Sequence, residues 1–216
     1  MCNFFSCIVT KNDILWDKNT DSHEELITKF KLKDSSSNPK FVRVEVLPID
    51  NNITNHKLSN WLAHVDQDLT PDWFDLKEVD KAIKKILPDV FKSLFVFEGA
   101  HEIREGRIFS CDSSTVTAFG SSTVTAYDSS TVTAHDSSTV KAYDSSTVTA
   151  YDSSTVKAYD SSTVKAYDSS TVTAHGSSTV KAYNSSTVTA WNYSNIIKYS
   201  GIIVLNNNAK MIDRSK

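Results

Sequence analysis

Three groups of residues have the types and spacing that chemistry requires. The first is Cys2, directly after the initiating methionine. Removal of that methionine exposes a thiol whose own α-amine serves as base, the arrangement of N-terminal-nucleophile hydrolases. His23 and Asp21 are the candidates to orient or activate it. MCN is a short signal without a visible oxyanion hole, so the expected role of Cys2 is a small strand residue. The second group is His64-Val65-Asp66-Gln67-Asp68. On a strand, His64, Asp66 and Asp68 share one face and offer ligands of the type a divalent cation takes. Residues two apart on a strand are about 6–7 Å apart, an awkward distance for sharing an ion. The expectation is therefore a solvated face, with Trp61, Ala63 and Val65 turned inward and no metal or cofactor. The third is Trp73-Phe74 after Thr70-Pro71-Asp72, a contact for a ligand or partner or the packing of a helix start. His56 and His101 have no evident partners.

A different pattern fills residues 112–191, where ten octapeptides run in tandem from DSSTVTAF to NSSTVTAW. NYSNIIKY (192–199) is a decayed eleventh copy. Such periodicity marks a repeat architecture. Ser-Thr-Val-Thr-Ala is rich in β-branched residues, which suit a pleated surface. Alternation puts Ser, Val and Ala on one side and both Thr positions on the other. The intervening Asp-Ser or Gly-Ser is turn chemistry, because short polar side chains bond the nearby backbone. Eight residues are too few for two strands and two corners, so two octapeptides make a 16-residue coil. Ten octapeptides then give five coils and a β-solenoid (β-helix) about 24 Å long. Its core of one Val and one Ala per unit is thin. Backbone ladders and stacked side chains must therefore add to it, with Ile108-Phe109 and Ile202–Leu205 as caps. Calcium binding of the nonapeptide-solenoid type is not expected, since only two units carry Gly.

The 16-residue coil sets Lys141 beside Lys157 and Lys165 beside Lys181. Like charges at strand spacing destabilise a sheet unless an acidic ligand or partner screens them. The aromatic positions Phe119, Tyr127, Tyr143, Tyr151, Tyr159, Tyr167, Tyr183 and Trp191 form a stacked row suited to protein contact or self-association.

In A-Y-D-S-S-T-V-T the array resembles the A-G-Y-G-S-T-x-T octapeptide of bacterial ice-nucleation proteins, over about 80 residues. It departs from that pattern in its Tyr, which stands one place earlier relative to Ser-Thr. The resemblance implies a 16-residue coil and raises ice binding as a function. In the first half, MCNFFS, Asp21-Ser22-His23 and Val65-Asp66-Gln67-Asp68…Pro71-Asp72-Trp73-Phe74 resemble N-terminal domains of uncharacterised bacteriophage and bacterial proteins. That likeness implies no activity; it places the chain among accessory proteins of a phage or mobile element.

The first half supplies the elements of an α+β domain. Phe4–Val9 and Ile14–Trp16 read as a hairpin around Lys11-Asn12-Asp13. Ser22-His23-Glu24-Glu25 has capping-box spacing and starts a helix with Leu26, Ile27 and Phe30 on one face. Asp34–Pro39 is a loop, and Phe41–Leu47 and Trp61–Val65 are strands. Asp72 or Asp75 starts a helix with Leu76, Val79, Ile83 and Ile86 at helical spacing. Pro88 predicts a break, followed by a second helix through Phe95. The expected domains are 1–107, a solenoid with caps over 108–205, and a polar tail over 206–216, with Glu98–Gly106 as the junction.

The net charge is −3, and no stretch is basic enough to neutralise a row of phosphates, so nucleic acid is not an expected partner. Apolar runs of fewer than ten residues are too short to span a membrane. The N-terminus lacks the basic region of a signal peptide, and three scattered cysteines suit a reducing cytosol, that of the host if phage-encoded. The leading expectation is a non-enzymatic binding protein for a protein or acidic ligand, with Trp73, Tyr143, Tyr151, Tyr159, Tyr167 and the four Lys as contact residues. Homo-oligomerisation would use a solenoid face or end. The alternatives are the N-terminal-Cys hydrolase and an ice-interacting solenoid.

Overall fold

A computed structural model describes residues 5–35, 38–55 and 57–215. The chain forms two units, Met1–Ser93 and Leu94–Lys216. The first is built from β1 (Phe5–Val9), β2 (Ile14–Leu15), α1 (His23–Lys29), β3 (Val42–Pro48), β4 (Trp61–Val65) and α2 (Leu76–Leu94). Its antiparallel sheet has the order β2-β1-β3-β4. α1 begins where its cap is: Ser22 Oγ accepts the Glu25 N–H. The box is not reciprocal, because the Ser22 N–H donates to Thr20 Oγ1 at 3.0 Å instead. Leu26, Ile27, Phe41 and Ile8 form one buried cluster. β3 buries alternate residues, Val42, Val44 and Val46, as a half-buried strand must.

α2 starts at Asp75, whose Oδ1 accepts the Lys77 N–H at 2.8 Å. The expected break at Pro88 does not occur; the helix runs on to Leu94. Pro88 lies on the exposed side of the helix, while Ile83, Leu87, Val90 and Phe91 continue the buried face across it. Burial of several such side chains, at about 1.5–3 kcal/mol each, outweighs a proline cost of about 3 kcal/mol. Phe91 packs edge-on to Trp61 at 5.1 Å, and Asp80 Oδ1 accepts the N–H of Ala63 at 3.0 Å.

In the second unit, β5 (Phe95–Val96), β6 (Ala100–Ile103) and β7 (Arg107–Ser110) precede the octapeptides. Each octapeptide contributes one four-residue strand, from β8 (Thr115–Ala118) to β17 (Thr187–Ala190). β18 (Asn195–Lys198), β19 (Ile202–Leu205) and β20 (Lys210–Asp213) follow. Even and odd strands separate into two parallel sheets of eight. Within the array every residue pairs with the one sixteen positions on: Val116 with Val132, Val132 with Val148, Val124 with Val140, Val140 with Val156. Ser, Val and Ala of every octapeptide face inward and are fully buried. Some inward hydroxyls turn back onto the corner, as when Ser154 Oγ donates to the Tyr151 carbonyl at 2.7 Å, while those of Ser130, Ser138, Ser146, Ser170, Ser178 and Ser186 are buried without a hydrogen-bond partner.

The solenoid exceeds the array at both ends. The expected junction Glu98–Gly106 holds β6, whose Ala100 pairs with Thr115, so the unit boundary lies at 93/94 rather than 107/108. The expected polar tail holds β20, whose Met211 pairs with Ile196. Ile108-Phe109 and Ile202–Leu205 are ladder strands themselves. Mixed sequence hides such strands from a repeat search, although their apolar alternation is present. The corners explain the Asp of each unit. Asp and Asn there hold φ between 51° and 58°, a left-handed conformation their short polar side chains tolerate. Gly120 takes this place where the coil beneath brings the Arg104 carbonyl oxygen to 2.6 Å from a would-be Cβ.

Deletion of residues 144–151 should lower the melting temperature by several degrees more than deletion of 144–159. The single octapeptide transfers everything after it to the opposite sheet, whereas the pair removes a whole coil. Circular-dichroism melts with equal midpoints for both deletions would contradict this arrangement.

Candidate functional site

The solenoid presents its outward residues in rows set by register. On the even sheet the second Thr position reads Thr117, Thr133, Thr149, Lys165, Lys181. On the odd sheet it reads Thr125, Lys141, Lys157, Thr173, Thr189. Lys141 is therefore directly beside Lys157, and Lys165 beside Lys181, at a strand spacing of about 4.8 Å. Lys141, Lys157 and Lys165 are exposed and Lys181 is half-buried. The Thr rows are bounded by Glu102 and Phe109 at one end and Ile197 and Val204 at the other.

The aromatic residues do not make one row. Successive octapeptides turn at opposite corners, so the rings divide into two columns and take in two histidines. One runs Phe119, His135, Tyr151, Tyr167, Tyr183, Tyr199, with ring centroids 4.7–5.2 Å apart. The other runs Tyr127, Tyr143, Tyr159, His175, Trp191, opening to 6.4 Å at its last step. The rings are nearly parallel, 7–13° between planes. Burial against the column raises the Tyr143 phenol above its ordinary range, and the Tyr159 and Asp160 charges raise it further. Burial also raises Tyr127 and Tyr183. These phenols stay neutral, so the columns are apolar ridges with polar tips.

Beside the rings stand columns of carboxylates. Asp128 Oδ2 accepts the Asp112 N–H, Asp144 the Asp128 N–H and Asp160 the Asp144 N–H, at 3.3–3.4 Å. Asp136, Asp152 and Asp168 repeat this at the opposite corner. Each carboxylate thus closes a coil step while stacked on its own kind.

In the first unit Trp73 lines a cleft of about 570 Å³. The hairpin turn Thr10–Asp13 forms one side, and Val79, Ala82 and Ile86 of α2 form an apolar floor between Glu78 and Lys85. Trp73 meets Phe74 edge-on at 6.2 Å. Trp73, a candidate contact residue, lines this cleft; the floor and the turn were not singled out, because nothing in their spacing ties α2 to the hairpin.

Cys2 and His56 lie outside the described residues. His23 is buried, with Nδ1 3.1 Å from Asp66 Oδ2 and Nε2 3.2 Å from the Val44 carbonyl. His64, Asp66 and Asp68 are not brought to one another. Among the described residues the only group of three with ligand atoms close enough for a metal, within 4.8 Å, is His23, Glu45 and Asp66. The signal missed was the pairing of a helix start with a strand end 43 residues later. Gln67 secures that strand end by accepting the Arg43 N–H at 2.8 Å, and the Asp66 N–H donates to the Arg43 carbonyl at 2.9 Å. The remaining described thiols are inert: burial pushes Cys7 up to about 12 and raises Cys111 as well.

The carboxylate columns generate a testable asymmetry. Asp144→Asn keeps the left-handed corner and the acceptor and removes a like charge, so its melting temperature should match or exceed the parent's. Asp144→Ala should lose about 1–2 kcal/mol from backbone strain and about 1 kcal/mol from the hydrogen bond. Thermal melts in which Asn is the worse substitution would refute the reading. Comparison with protein-family models, curated proteins and solved structures finds no match to this chain.

Proposed function

We propose that the protein is a non-enzymatic interaction protein, whose solenoid is a rigid scaffold displaying paired cations to an acidic ligand or an acidic protein surface. The pairing of Lys141 with Lys157 and of Lys165 with Lys181 carries this reading. Adjacent ammonium groups on stacked strands repel one another in the free protein. An anion bridging each pair removes that repulsion, so binding gains what folding loses. The aromatic columns flank the sheets and supply apolar contact next to the charges. The Trp73 cleft gives the first unit a separate contact for a ligand or partner. The likeness of the N-terminal half to phage and bacterial N-terminal domains supports an accessory role in a phage or mobile element. Free, buried Cys7 and Cys111 suit work in a reducing cytosol. No described helix is long and apolar enough to cross a membrane.

The test is binding of poly-L-glutamate to the full chain. Affinity should fall with added salt, because exposed charges are screened, and should fall about tenfold or more when all four Lys are changed to Thr. Unchanged affinity in that variant would sink the proposal.

The same rows argue against strong ice binding. Neither sheet keeps more than three consecutive Thr pairs, and each interrupting Lys holds a strongly hydrated ammonium over the surface. The parent protein should show no thermal hysteresis at high concentration, while the four-site Lys→Thr variant should gain it. Clear hysteresis in the parent protein refutes the argument.

A further inference from the structure

His23 is 4 % exposed, at the first position of α1. The Val44 carbonyl, 3.2 Å from Nε2, can only accept, so Nε2 carries the hydrogen. In the neutral ring that leaves the lone pair on Nδ1, directed at Asp66 Oδ2 3.1 Å away. That contact is satisfied either by a proton on Nδ1, which makes it an ion pair, or by a cation shared between the nitrogen and the carboxylate. A ligating histidine is commonly held in just this way, with its second N–H on a backbone carbonyl. Glu45 brings a second carboxylate, and one ligand atom from each of the three residues lies within 4.8 Å of the others. The nearby Arg43 guanidinium is engaged elsewhere, bound to Asp34 and Glu24.

An independent observation comes from β1. Ser6 is 1 % exposed, and its hydroxyl has no hydrogen-bond partner. Ser6 lies directly opposite Glu45 in the sheet, so both side chains project from the same face. A buried, unpartnered hydroxyl beside this cluster is what a missing ligand or its bound water would satisfy. On the other side the Asp66 side chain is 54 % exposed, which leaves a path for entry.

We propose that His23 Nδ1 and one oxygen each of Glu45 and Asp66 bind a divalent first-row metal ion such as Zn²⁺ or Mn²⁺. One nitrogen and two carboxylate donors suit these ions better than thiolate-seeking Cu(I) or the all-oxygen sites of Ca²⁺. Two carboxylates and a neutral imidazole balance the charge of a dication. The Ser6 hydroxyl then donates to the non-ligating oxygen of Glu45 or to a water on the ion. This site is independent of the solenoid's Lys pairs.

The experiment uses the full chain with Cys2→Ser, which removes a thiol that would compete for zinc. After chelator treatment and dialysis, Zn²⁺ is titrated by calorimetry and Mn²⁺ by electron paramagnetic resonance. One ion per chain is expected, bound about tenfold or more weakly in Glu45→Gln and in Asp66→Asn. His64→Gln and Asp68→Asn should bind as the parent does. Because His23→Gln can fail to fold, the histidine is followed in the intact chain by nitrogen NMR, where zinc should shift Nδ1 of His23. A chain that takes up no ion overturns the site. So does undiminished binding in both Glu45→Gln and Asp66→Asn, or a silent His23 resonance.

Discussion

The in-register parallel ladder with a step of sixteen residues is the constraint on which the second unit depends. A parallel pair leaves each strand waiting for a neighbour above and below, and here that neighbour is always the same kind of residue. Identity at sixteen residues therefore turns each side-chain type into a column. Val fills the interior, Thr or Lys lines the sheets, aromatic rings stack at the strand ends, and Asp turns the corner. Each column is favourable or unfavourable by its own chemistry. Ring on ring gains dispersion and hides apolar area. Ammonium on ammonium and carboxylate on carboxylate repel, and only the carboxylates find compensation, in the N–H groups of the preceding coil. The cations do not share that relief, which makes them the chemically unfinished part of the surface.

The first unit runs on a different economy of positions, in which no residue meets its own copy. Its sheet is antiparallel and one face is closed by α1. His23 sits at the edge of that contact, held by a backbone carbonyl from β3 and a carboxylate following β4. Several polar groups with no apolar purpose meet there: a buried imidazole, two acids and a lone hydroxyl. Only the imidazole and the hydroxyl are buried; the acids reach toward solvent.

Local and periodic signals carried well from sequence to structure. The β-branched octapeptide, its inward Ser-Val-Ala face and the coil length all follow from alternation and the length of two corners. The Ser22 cap and β4 likewise rest on a few adjacent residues. Three features were out of reach for physical reasons. Pro88 reads as a breaker until one knows that it faces water and that the buried stripe continues past it. The end coils are irregular: Ala100 pairs with Thr115 and Thr187 with Ile202, fifteen residues apart instead of sixteen. The His23–Glu45–Asp66 cluster depends on how a helix start, a middle strand and the end of an edge strand meet, which spacing along the chain does not encode.

Those irregular end coils matter to how the chain finds its fold. Interior coils are so alike that a strand loses little by joining the ladder one full turn too far along and looping out the turn it skipped. A landscape built only from such units would hold many near-degenerate traps. The shortened coils at either end break the sixteen-residue step, and the crowded corner at position 120 accepts Gly and excludes Asp. His135 and His175 similarly mark single places in otherwise uniform ring columns. Imperfections at the margins thus act as addresses, letting a nearly translational sequence settle in one frame.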